Sequence, residues 1–267
     1  MSLFFGGMSS HKGATEMKQE DLEKIIESHG RWLSDENDGE RANLSGTDLR
    51  GVDLRYADLR KANLSGANLS GAYMDNAALG VADLKDANLS GARLVNAYIS
   101  DAELRRASLR EANLSGAKLR GVDLRYADLR KANLSGADLM GAFLFDTDLR
   151  EANLKGAYLE CANLKGAYLK GADLRCADLF SAELTETILQ VGPIGSRRDY
   201  TIYNATSDVV QCGCWNAHKG GTLEEFKERI NEVYPEERER TLKYRREYLA
   251  VIAYFETVRA LEKEEKK

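Results

Sequence analysis

Residues 42–66 read ANLSG TDLRG VDLRY ADLRK ANLSG. Leucine stands third in each group of five, and a small residue, most often alanine, stands two before it. The pattern runs from Ala42/Leu44 to Thr187/Leu189, thirty pentads without an insertion or deletion, and only Met74 and Ile99 replace the leucine. A period of five fits neither standard element. On an α-helix, steps of five turn roughly 140° each, scattering the leucines around the cylinder. In a flat strand an odd spacing sends successive leucines to opposite faces. The chain must therefore turn once per pentad, so that each leucine again points inward. Short repeats of this kind build a solenoid.

The other positions agree. The residue before leucine is usually Asn or Asp (Asn43, Asp48, Asp53, Asp58, Asn63), and such side chains bond nearby backbone and favour turns. The residues after it are often Ser-Gly, Arg-Gly or Lys-Gly, and glycine permits a tight corner. Two inward positions per side share a narrow interior, so Val52, Val122, Thr47, Thr147 and Thr187 are the largest residues expected at the alanine position.

Ala62-Asn63-Leu64-Ser65-Gly66 and Ala152-Asn153-Leu154-Lys155-Gly156 resemble the A(D/N)LxG consensus of the pentapeptide-repeat family. The resemblance implies a mainly β fold, a right-handed quadrilateral β-helix with four pentads per coil. The sequence itself adds modest support: Asn-Leu-Ser-Gly at 43 recurs at 63, and Asn-Leu-Ser-Gly-Ala at 113 recurs at 133. Some members of the family bind DNA gyrase by imitating duplex DNA, so the resemblance also supplies a regulatory alternative.

The chain is expected to divide into four parts. Residues 1–16 read as poorly ordered, with Met1–Met8 as an added leader and Met17 as a native start. Residues 17–40 form a capping helix, with Leu22, Ile25, Ile26, His29, Trp32 and Leu33 on one face. Trp32 and Leu33 are the residues expected over the first leucines. Residues 41–190 form the β-helix. Residues 191–267 form a small α+β extension, with strands at Asp199–Asn204 and Asp208–Trp215. A helix opened by the capping box Thr222/Glu225 follows, then another at about 236–262. This tail loosely resembles extensions on pentapeptide-repeat proteins of bacteria and their phages. Its apolar residues need a partner, and Tyr248, Ile252 and Phe255 exceed what a simple plug requires. A homodimer through the last helix is the expectation.

Charge excludes some functions. Residues 1–40 carry 4 Lys/Arg against 9 Asp/Glu, whereas residues 41–190 carry 20 of each. A neutral rod lacks the net positive stripe of a phosphate-binding surface. It also lacks the acidic surface of a DNA mimic. The arginine-dense block 49–67 recurs identically at 119–137, seventy residues on, which places the copies on opposite sides of a four-sided rod. No membrane span or signal-like leader is read, so the cytoplasm is expected.

One cluster has a metal-like look: Cys212-Gly213-Cys214 with His218. Zinc favours CxxC pairs and four ligands, and here the spacing is CxC with a fourth ligand missing. Buried thiols in a strand are the plainer reading. Cys161 and Cys176 fall at outward corners fifteen residues apart, hence on different corners, and no disulfide is expected. No catalytic set is assembled and no cofactor is implied. The reading is a non-enzymatic solenoid that binds protein or serves as a structural module. Gyrase regulation and an enzymatic or metal-binding tail are the alternatives.

Overall fold

The structure, a computed structural model, describes residues 17–183, 188–194, 199–204, 209–212, 221–235 and 242–265. Its elements in order are α1 (Gln19–Leu33), the coiled rod, β1 (Ile188–Ile194), β2 (Asp199–Asn204), β3 (Val209–Cys212), α2 (Leu223–Val233) and α3 (Leu242–Glu265). From Asn43 to Glu183, each parallel bridge joins residues twenty apart, as Asn43 with Asn63 and Asn163 with Glu183. Four pentads therefore close one coil, and the rod is a right-handed quadrilateral β-helix.

The pentad Ala62–Gly66 shows why the motif has its composition. Ala62 N–H donates to Leu59 C=O across the corner (3.0 Å), and Asn63 N–H donates to Ala42 C=O in the preceding coil (3.0 Å). Leu64 N–H reaches Asp83 C=O (2.7 Å) and Gly66 N–H reaches Lys85 C=O (2.8 Å), both in the following coil. The remaining donor, Ser65 N–H, bonds Asn63 Oδ1 (3.1 Å). All five backbone donors are thus satisfied. The Asn or Asp before leucine supplies an acceptor that the backbone does not, which explains its recurrence.

Inside, the leucines form four columns repeating every twenty residues. We number the walls by their leucines: wall 1 carries Leu44, wall 2 Leu49, wall 3 Leu54 and wall 4 Leu59, each repeating at twenty. The central leucines are 2% exposed or less, and alanines two before them fill the corners just as completely. Thr147 is buried at an alanine position, and its hydroxyl donates to Leu124 C=O (2.8 Å).

Each corner places the residue two after leucine in the left-handed region, as at Gly66 (φ 65°) and Val81 (φ 60°). Glycine takes this conformation without a side-chain clash, whereas a β-branched residue is strained there. Val81 follows Gly80, one place late, and has no compensating burial, being 57% exposed. Val81→Gly is expected to raise stability by about 1 kcal/mol, read as an increase in the denaturation midpoint. An unchanged or lower midpoint would contradict the strain.

The N-terminal cap is α1, as expected, but its contacts differ from the expected ones. Leu22 is fully buried on the rod's core, with Met17, Ile25 and Ile26 packed beside it. Trp32 and Leu33 are only half-buried, and Trp32 stacks instead on His29 (centroids 5.4 Å apart). His29 is completely buried. Its Nδ1 accepts from Ala42 N–H (3.1 Å), and its Nε2–H donates to Arg60 C=O (2.9 Å). In later coils such carbonyls receive an N–H from the coil before, as Ser65 C=O does from Gly46. His29 stands in for the coil that the rod lacks at this end.

At the other end the repeat stops earlier than the sequence suggests. Among the described residues the last parallel bridge reaches Glu183, and Leu189 lies in β1. The strands β1, β2 and β3 form an antiparallel sheet in that order. Gly192 and Pro193 both belong to β1. Proline is tolerated because β1 is an edge strand whose register shifts between Val191 and Ile194. β2 has two working faces. Ile202 joins the rod's core, while Tyr203 stacks on Phe255 (4.8 Å) in a second core. Thr222 caps α2 with Glu225 in the predicted box. Tyr248, Ile252 and Phe255 are buried against the chain's own β2, β3 and α2. These three residues, which suggested a second copy on α3, have partners within the chain.

Candidate interaction surface

Each wall presents two outward columns, one before and one after the buried leucine. Where the motif reads Asp-Leu-Arg, the outward pair forms a bidentate clamp. Arg55 Nε and Nη2 donate to Asp53 (2.8 and 2.5 Å), and Arg130 does the same with Asp128 (2.8 and 2.6 Å). The Arg130 guanidinium holds the Asp128 carboxyl below its ordinary range, as Arg60 does for Asp58. Other pairs link neighbouring coils, such as Arg105 with Asp123 and Arg106 with Asp86. The arginines that tempt a nucleic-acid reading are thus held by carboxylates.

Wall 4 carries an exception. Partial burial and a hydrogen bond with Asp178 push the Glu160 carboxyl up. Among the described residues, no three His, Cys, Asp or Glu side chains converge as a metal site. Of the weak metal candidates, Cys214 and His218 lie outside the described residues, and Cys212 is placed only by its backbone in β3. Zinc measurement on the purified protein is expected to return less than about 0.1 ion per chain, since CxC spacing suits zinc poorly; stoichiometric zinc would reverse that. Cys161 and Cys176 are free, exposed thiols on different corners.

The uncommon surface lies on wall 1. Phe143 and Phe145 flank the buried Leu144, so both outward positions of one pentad are aromatic. Phe143 is 50% exposed and Phe145 37%. Tyr126, at the corner one coil earlier, meets Phe145 edge-on (5.9 Å). The Arg125 guanidinium lies over the Phe143 ring (5.9 Å) while clamped to Asp123. The duplicated block shows how specific this is. Its first copy puts Tyr56 on wall 3 beside Tyr73 and Asp75, and its second puts Tyr126 on wall 1 beside the two phenylalanines. Sequence reading missed Phe143 and Phe145. Aligning outward positions by pentad would have found them, because GAFLFDT at 141–147 alone has aromatics on both sides of the leucine.

A family model described as pentapeptide repeats matches this chain with eight copies, over residues 42–80, 82–121, 107–144, 117–156 and 147–185. The chain belongs to the pentapeptide-repeat family. Solved pentapeptide-repeat structures are similar to it. One is HetL, involved in heterocyst differentiation regulation, from the cyanobacterium Nostoc sp. strain PCC 7120. It is 30% identical, with 63% of this chain and 98% of HetL covered and a TM-score of 0.24. Another is QnrB1, a plasmid-mediated fluoroquinolone resistance protein, at 22% identity, with 55% and 79% covered and a TM-score of 0.40. A third is Rfr23 from the cyanobacterium Cyanothece 51142, at 25% identity, with 53% and 90% covered and a TM-score of 0.18. Comparison with curated proteins gave no match. No described helix of this pentapeptide-repeat protein is long and apolar enough to cross a membrane.

Proposed function

We propose that this chain is a non-enzymatic, cytoplasmic protein-interaction module, a stiff rod that presents wall 1 to a protein. The observation that carries this reading is the exposed Tyr126/Phe143/Phe145 cluster with Arg125. Aromatic and arginine side chains dominate binding hot spots, and an exposed aromatic cluster on a polar wall marks a contact surface. The exposed thiols of Cys161 and Cys176 suit a reducing compartment. Replacing Phe143→Ser/Phe145→Ser should leave the melting temperature within a few degrees, because both side chains face solvent. It should remove specific proteins captured from native cell extract. Identical captured sets from the two proteins would defeat the reading.

Charge pairing weighs against the gyrase alternative. A DNA mimic needs unpaired negative charge, and Asp53, Asp58, Asp123, Asp128 and Asp148 are each clamped by an arginine. Micromolar protein is expected to leave gyrase supercoiling unchanged; inhibition or protection from a quinolone would restore that alternative.

A further inference from the structure

Resting on the interaction-module reading, we infer that wall 1 is covered by a second copy of this chain, side by side and parallel. The two-fold axis runs along the rod, over the leucine column. The argument starts from the two outward columns. Rotation about such an axis places the residue before each leucine against the partner's residue after it, on the same coil. On wall 1 this sets Glu103 against Arg105, Asp123 against Arg125 and Phe143 against Phe145. Every charged row in that set meets its opposite, and the aromatic row meets itself.

The antiparallel alternative, pivoting on the Phe143 row, fails the same comparison. It brings Arg125 against Lys165 and Glu103 against Glu183. Like charges facing each other disfavour an interface, so the columns choose the parallel arrangement. The pair within each chain does not consume every donor of Arg125. Arg125 uses Nε and Nη2 on Asp123, which leaves the Nη1 hydrogens for another acceptor. Wall 2 has Asp-Leu-Arg rows as well, at Asp128/Arg130 and Asp148/Arg150, but no row with aromatics on both sides. The phenylalanine row is what makes wall 1 adhesive.

The contact is small. Seven coils at roughly 4.8 Å make about 34 Å of height, and two side-chain columns span roughly 10–15 Å. The total buried area is then on the order of 1,000 Å², in the weak and transient class. The expected dissociation constant for so weak a contact is on the order of 100 µM.

Sedimentation of the full chain from about 10 µM to about 1 mM, bracketing that constant, tests the proposal. The wild type should pass from monomer to dimer. Phe143→Ser/Phe145→Ser should weaken association at least about tenfold, with an unchanged thermal melt as the folding control. Arg105→Glu should weaken it about fivefold, and Glu103→Arg/Arg105→Glu should recover it, because the swapped charges again face each other across the axis. A monomer at the highest concentration, a serine variant that dimerises like its parent, or a swap no better than Arg105→Glu overturns the proposal. If extract capture depends on wall 1 while the protein stays monomeric, self-association fails and the interaction reading stands.

Discussion

Replacing Leu114 with alanine lowers the free energy of unfolding by about 3 kcal/mol, within the usual range for a buried leucine. Leu114 lies on wall 3 in the middle of its column, between Leu94 and Leu134, and is 1% exposed. The coils above and below are held by backbone bonds on all four sides, such as Leu94 N–H to Asn113 C=O (2.7 Å) and Leu114 N–H to Asn133 C=O (2.7 Å). They cannot close over the gap without breaking those bonds, so the cavity stays. In a solenoid each coil touches only its neighbours, and stability is a sum of coil and interface terms. Truncating one leucine weakens its own coil and both interfaces. Leu114→Met supplies the control, since Met74 occupies the same column naturally and is fully buried; it should cost less than about 1.5 kcal/mol. Denaturant titration of the three proteins decides the matter. If Leu114→Ala falls within about 1 kcal/mol of the wild type, the leucine columns are not what holds the rod.

The rod was legible because its rule is local. Each pentad carries its own corner, its own Asx acceptor and its own inward pair, so period and composition state the fold without tertiary information. The ends were legible only in part. An amphipathic helix at 19–33 could be read, but a helical face does not say which of its turns meets the rod. Leu22 and His29 took the buried places assigned to Trp32 and Leu33. The partners of His29 lie at Ala42 and Arg60, thirteen and thirty-one residues on, and no periodicity links them. β1 was hidden because Leu189 keeps the spacing of the repeat while belonging to an antiparallel sheet, and because Pro193 reads as a breaker away from its edge. The wall 1 cluster needs the coil length. Tyr126 and Phe145 are nineteen residues apart, and only a twenty-residue turn brings them together.

The N-terminal cap should weaken as the solution is acidified, and His29 should be the cause. In the folded chain the imidazole is neutral, with Nδ1 accepting from Ala42 N–H and Nε2–H donating to Arg60 C=O. A second proton would sit on Nδ1 and face another donor. Desolvation lowers the His29 pKa from its ordinary 6.5; the bond to Arg60 C=O and the Asp58 charge oppose this, while Arg41 and Arg60 reinforce it. The sign follows. Well above pH 6.5 both folded and unfolded chains carry neutral imidazole, and His29 adds no pH dependence. Below it the unfolded chain binds the proton first, so stability declines with falling pH until the depressed folded value is passed. The clamped carboxylates Asp58 and Asp128 have pKa values lowered from 3.8 by their arginines, so their loss comes in a separate, more acidic window. His29→Ala should cost about 2–4 kcal/mol at neutral pH, from two lost hydrogen bonds and a cavity under Trp32. It should also flatten the decline that the wild type shows between about pH 7 and pH 5. Hydrogen exchange would locate the loss: the amides of Leu44 and Leu49 should lose protection, while those of Leu114 and Leu134 keep theirs. A His29→Ala protein that retains the wild-type slope across that window would mean that the cap titrates through another group.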